Sequence, residues 1–177
     1  MPNDVTLTGR RVTLRPPQAE DAEEMFEALT SDPEVTRYLS WTPHPDADET
    51  RRVITELFNT ADDPTWVIEL RDTGQLIGTC GWRTPVPHAV SLGYCLGRRW
   101  WGQGLMSDAA GLLVEAARRD PLVYRVAAHC HVDNVASAGV MRRCGLEFEG
   151  RLVRYAVFPN LGPDPRDCLM FAKAVRE

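Results

Sequence analysis

The stretch Gly93-Tyr-Cys-Leu-Gly-Arg-Arg-Trp-Trp-Gly-Gln-Gly-Leu-Met106 decides how the rest of the chain is read. Val90, Leu92, Tyr94 and Leu96 alternate with smaller residues, the period of a half-buried strand. After the glycines, Leu105, Ala109, Leu112, Leu113 and Ala116 fall on one face of a helix that stops before Asp120-Pro121. The junction between them is Arg99-x-x-Gly102-x-Gly104. Glycines there let backbone N–H groups approach a ligand with no Cβ in the way. The first N–H groups of the helix lack internal partners, and its dipole favours negative charge. Arg98 and Arg99 add positive charge at the same mouth, so the junction suits a diphosphate. No Lys-Ser/Thr follows the last glycine, and Ser107 stands where a dinucleotide fingerprint needs its third glycine. Both of those phosphate motifs are set aside.

Working outward, Arg11 to Arg15 alternates and ends at Pro16-Pro17, as a first strand would. Ala22, Met25, Phe26 and Leu29 give a helix face, and Val35 to Pro45 reads as an ordered loop or broken helix. Asp46-x-x-Glu49 has capping-box character ahead of a second helix through Val53, Ile54, Leu57 and Phe58. Trp66–Leu70 and Leu76–Trp82 are strands joined by the hairpin signature Asp72-Thr-Gly-Gln75. Pro85 to His88 is expected as a loop. Tyr124 to Val132 is a strand with Arg125, Ala127, His129 and His131 on one face. Asn134 to Cys144 is a short helix with Gly145 placed as a left-handed cap. Leu146–Gly150 and Cys168–Ala172 close the pattern, with a loop from Phe158 to Pro165.

Composition narrows the function classes. At 177 residues the chain has the length of one domain with a full core, and 44% hydrophobic with 25% charged residues is a soluble globular balance. No apolar run approaches the roughly 18 residues of a membrane span. Met-Pro-Asn-Asp-Val has neither a basic nor an apolar leader segment, so no secretory signal is expected. Cys80, Cys95, Cys130, Cys144 and Cys168 are dispersed, which reads as reduced thiols and a cytoplasmic setting. A net charge of −5 argues against nucleic acid as a partner. Two strand histidines without a third ligand nearby give no metal site.

Two motifs carry a resemblance. Leu92-Gly93-Tyr94 with Arg99-Trp100-Trp101-Gly102-Gln103-Gly104 resembles the acetyl-CoA-binding motif of the GNAT superfamily of N-acetyltransferases. The Trp-Gly-x-Gly form is similar to that of the Rim-type ribosomal-protein N-terminal acetyltransferases. Asn134-x-x-Ser137, then Met141 to Leu146 and Glu149-Gly150, resembles the family's closing motif. The likeness extends loosely from Arg11 to Lys173. It implies a single α/β domain over 1–177, a twisted mixed but mostly antiparallel sheet of six to seven strands flanked by four helices. It implies acetyl-CoA as cofactor, with CoA as product, and an amine acceptor: a peptide N-terminus or a small molecule.

The resemblance also distributes roles. The diphosphate falls to Arg99, Trp101, Gly102, Gln103, Gly104 and Leu105, and the acetyl end to Tyr94, Cys95 and Leu96, where a backbone N–H meets the carbonyl. Asn134 and Ser137 complete the cofactor contacts, and Ser137 matches the serine placed near the leaving sulfur. Tyr38, Trp41 and Ser91 are expected at the acceptor. The family's carboxylate positions carry Ser91 and Ala156 here, so the general base passes to His131, with His129 and Glu69 as alternatives. An α-amine of pKa near 8 is roughly a tenth neutral at pH 7, against about one part in 2,500 for lysine, so a weak base favours N-termini. Direct transfer in a ternary complex needs no cysteine nucleophile. A small-molecule acetyltransferase and a non-catalytic acyl-CoA-binding module are the other readings, as monomer or homodimer.

Overall fold

A computed structural model describes residues 5–58 and 64–176. The leader reading above rests, apart from Val5, on residues outside that range. The strands are β1 (Leu7–Thr8), β2 (Val12–Arg15), β3 (Thr65–Leu70), β4 (Leu76–Val86), β5 (Ala89–Leu96), β6 (Arg125–His131), β7 (Glu147–Val157) and β8 (Pro165–Ala174). They form one sheet in the order β1-β2-β3-β4-β5-β6-β8-β7. Every neighbouring pair is antiparallel except β5 with β6. The helices are α1 (Ala22–Met25), α2 (Pro33–Thr36), α3 (Ala47–Glu56), α4 (Leu105–Arg119) and α5 (Val135–Arg143).

Among the described residues, eight strands and five helices stand where six to seven and four were expected. β1 is two residues long and carries no period that a sequence can show. α2 is a separate turn because Pro33 starts it and the Asp32 carboxylate accepts from the Glu34 N–H at 2.8 Å. The expected loop at Pro85 shrinks to Pro87-His88, since β4 runs to Val86 and pairs there with Ala89. β7 likewise outruns its predicted end at Gly150. It bulges twice against β8, between Phe148 and Gly150 and between Leu152 and Ala156, and those bulges break the alternation that marks a strand.

Strand parity sorts the side chains into two cores. Val12, Leu14, Ile68, Ile77, Leu92, Leu96, Val126, Ala128 and Phe171 meet Leu105, Ala109, Leu113 and Ala116 of α4 and Ala138 and Met141 of α5 on one face. On the other, Val67 and Leu76 meet Ala22, Met25 and Leu29 of the first helical segment, Val35 of α2 and Ile54 of α3. A fully buried leucine of this kind contributes roughly 2–3 kcal/mol by leaving water. Arg15 at the end of β2 pins the second layer to the sheet, pairing with Asp21 at 2.7 Å and Glu69 at 2.6 Å. Among the described residues no helix is long and apolar enough to cross a membrane.

Candidate functional site

The site begins where the sheet comes apart. β5 and β6 pair only at Ala89–Arg125, Val90–Val126 and Ser91–Ala127. Beyond Ser91 the two strands diverge, while β5 stays paired to β4 up to Leu96 opposite Gly78. The Gly97 N–H donates to Ile77 across that ladder at 2.9 Å. Alternation then turns the N–H groups of Gly93 and Cys95 towards β4 and those of Tyr94 and Leu96 into the gap.

A cavity of about 970 Å³ runs through this gap. On the α5 side it is lined by Tyr94, Cys130, Asn134, Ser137 and Met141. On the α3 side it is lined by Tyr38, Trp41, His44, Glu49 and Arg52, with Ser91, Cys95, His129, Ala156 and Phe158 near the passage. One hollow therefore reaches both faces of the sheet.

Outside the cavity lining, at the turn expected to hold a diphosphate, the chain passes through Arg98–Trp100 and enters α4 at Leu105. Gly102 (φ 74°) and Gly104 (φ 72°) are both left-handed, which side chains resist. A Cβ on Gly104 would lie 3.2 Å from the Arg11 guanidinium. The loop is tied down by three bonds. Trp101 Nε1 donates to Leu96 O at 2.6 Å, Gln103 Nε2 to Arg99 O at 3.1 Å, and Arg11 to Gln103 O at 2.8 Å. Arg11 also pairs with Asp108 in the first turn of α4 at 2.7 Å, which raises the arginine further and neutralises a carboxylate beside the anion site. Its spacing from the loop hides this role from the sequence. The buried Ser107 hydroxyl of the same turn has no hydrogen-bond partner among the described residues. These features fit a diphosphate. Leu105 buries its side chain, so only its backbone faces outward. Arg98 pairs with Asp32 at 3.1 Å and Arg99 lies over the Trp100 ring, and both line a separate hollow with Glu24, Glu27 and Asp32.

On the α5 side of the cavity Asn134 caps the helix, its Oδ1 accepting from the Ser137 N–H at 3.1 Å. Gly145 (φ 78°) closes that helix. The cap brings Ser137 Oγ within 3.0 Å of the Tyr94 hydroxyl, which also donates to the Ser137 carbonyl at 3.2 Å. Burial pushes the Tyr94 phenol up, so it stays protonated at any working pH. The thiols of Cys80, Cys95 and Cys130 are all raised by burial as well, which leaves little thiolate for covalent catalysis.

The candidate bases separate. His129 lines the cavity and burial lowers its pKa, so it is neutral at pH 7. His131 is 6% exposed, with Tyr38 stacked on it at 5.1 Å and Phe158 edge-on at 5.2 Å. Its Nδ1 accepts from the Asp133 N–H at 3.1 Å, and it is not among the cavity-lining residues. Glu69 is held by Arg15, away from the cavity. Ser91 and Ala156 line it with no carboxylate to offer. Among the described residues no group of three or more metal-ligating side chains converges.

A parted parallel pair of strands, with a glycine turn at a helix start on one side and a side-chain-lined hollow on the other, is the layout of an acetyl-transfer fold. The sequence matches the family described as acetyltransferase (GNAT) domain over residues 11–147, and the chain belongs to that family. It is 31% identical over 155 residues to the uncharacterized N-acetyltransferase p20 of Bacillus licheniformis, covering 85% of this chain and 86% of that one. A GNAT-family acetyltransferase from Bacillus anthracis superposes with a TM-score of 0.86 at 21% identity, over 98% of this chain and 100% of the other. RimL, a ribosomal L7/L12 alpha-N-protein acetyltransferase solved with coenzyme A, gives a TM-score of 0.83 at 22% identity, over 96% and 98% of the two chains. GNAT acetyltransferases use acetyl-CoA, and this chain is an N-acetyltransferase of that family.

Proposed function

We propose that the protein moves an acetyl group from acetyl-CoA straight to a primary amine in a ternary complex, with the α-amine of a peptide N-terminus as favoured acceptor. The observation that carries this is the single cavity reaching both faces of the sheet through the parted β5 and β6. Two substrates can meet there from opposite sides, and no buried thiol has to relay the group.

Acetyl-CoA brings the activated thioester and leaves as CoA. Gly102, Gly104 and the start of α4 hold the diphosphate with backbone N–H groups. The N–H groups of Tyr94 and Leu96 point into the gap, where they donate to the carbonyl oxygen as charge builds on it. The Ser137 hydroxyl donates to the departing sulfur, and the Tyr94 phenol supports it by turning its one proton from the Ser137 carbonyl to Ser137 Oγ, 3.0 Å away. His129, neutral and on the acceptor side, takes the proton from the amine. A neutral histidine is a modest base, which favours an acceptor whose pKa lies near 8 over a lysine.

The direct test is CoA release from acetyl-CoA with N-terminal peptides, lysine peptides, polyamines and aminoglycosides as acceptors. Release driven by N-terminal peptides is the expected result. Release driven only by a small amine would reassign the acceptor, and acetyl-CoA binding with no stimulated release would leave a binding module.

A further inference from the structure

The acceptor half of the cavity has two walls from distant parts of the chain. One is the segment after α2, carrying Tyr38 and Trp41; the other is the turn between β7 and β8, carrying Phe158 and Pro159. Asn160 joins them. Its Nδ2 donates to Thr36 O at 2.7 Å and to Trp41 O at 2.8 Å, across 124 and 119 residues, so both amide hydrogens are spent on the opposite wall. Below that bridge, His131 is packed between Tyr38 and Phe158, one ring from each wall. Arg166 steadies the turn from behind, donating to Leu161 O at 2.9 Å.

We propose that Asn160 is a positioning residue that sets acceptor selectivity: by clamping the two walls together it shuts one end of the acceptor groove, so that an amine on a chain end enters and an amine in the middle of a chain does not. This rests on the acetyl-transfer reading above. A mid-chain lysine needs an exit on each side of the reacting nitrogen, whereas a terminal amine needs one. His131 then acts as the filler of the clamp, which accounts for its burial away from the reacting groups.

The test uses binding, so it stands apart from turnover. Two conjugates are made in which CoA is bridged through an acetyl carbon either to a peptide α-amine or to the ε-amine of a central lysine in a peptide of equal length. CoA alone is the control. The intact protein is expected to bind the terminal conjugate about tenfold more tightly than the internal one. Asn160→Asp keeps the shape but presents an acceptor to two carbonyls; Asn160→Ala removes the group. Both should bring the preference to within about threefold while leaving CoA affinity within about twofold. No preference in the intact protein, an unchanged preference in both variants, or a fall in CoA affinity that accounts for the change would each overturn the proposal. Should the terminal conjugate be preferred and N-terminal peptides still fail to release CoA, the clamp stands and the proposed reaction falls.

Discussion

The two halves of the candidate site are built by different means. The half expected to take the cofactor is backbone: two left-handed glycines, the first N–H groups of α4 and the inward N–H groups of β5, all within Tyr94 to Ser107. The half expected to take the acceptor is side chain, assembled from the α2–α3 connection, β6 and the β7–β8 turn, the first and last of which lie more than a hundred residues apart. A backbone site can be read in one short string and offers few ways to vary. A side-chain site is open to change at each position, which is where acceptor specificity belongs.

Substitution at Gly104 tests the backbone end most severely. Gly104→Val combines a φ of 72° with a β-branched residue and a Cβ 3.2 Å from Arg11. Acetyl-CoA affinity by calorimetry should fall by about 100-fold or more, since strain of roughly 1–2 kcal/mol adds to loss of the cradle. Retained affinity would mean that side chains hold the cofactor after all.

The contrast sharpens at Ser137, proposed above to act on the leaving sulfur. Ser137→Ala should lower kcat about 100-fold with acetyl-CoA affinity within about threefold. Tyr94→Phe should cost about tenfold and add nothing once Ser137 is gone, because the phenol acts through that hydroxyl. Additive losses in the double variant would separate the two residues.

The pH dependence tests the acceptor end. His129 is depressed from its usual value, so its base form persists below pH 6.5, and Tyr94 is raised, so its proton is kept through pH 10. The acceptor amine is left to shape the profile. With an N-terminal peptide, kcat/KM should rise about tenfold per pH unit up to roughly pH 8 and stay level towards pH 10. A fall above pH 8 would contradict the raised phenol. The smallest effect is expected at Asn134→Ala, where loss of the α5 cap should cost about 1 kcal/mol, a drop of a few degrees in Tm. An equal drop in turnover at low temperature would show that Asn134 also touches the cofactor.

How far this was legible in the sequence follows the same division. The strand, glycine turn and helix from Val90 to Arg119 could be read because each residue's role is set by neighbours a few positions away. The Asn134 cap and Gly145 stop were legible for that reason too. Alternation placed His129 and His131 on one face, and both are there. It could not show that Tyr38 and Phe158 would close over the second and leave the first open. The Tyr94–Ser137 contact and the Arg11 tie to Gln103 span 43 and 92 residues, distances over which periodicity says nothing. The outer half of β7 was lost to its bulges, where Arg154 sits at φ 51° with its N–H on Asp167.

The brief pairing of β5 with β6 also has a mechanical side. A sheet draws its stiffness from unbroken rungs, and here three residue pairs join β1–β5 to β6–β8. With α4 and α5 laid across one face, the sheet is two leaves hinged at one end of β5 and β6 and parted at the other, where only side chains such as Tyr94 and Asn160 reach across. Heat or force applied across the leaves should part them first at that open end. Any molecule that lies in the gap and bonds to both leaves works as the pin through the hinge.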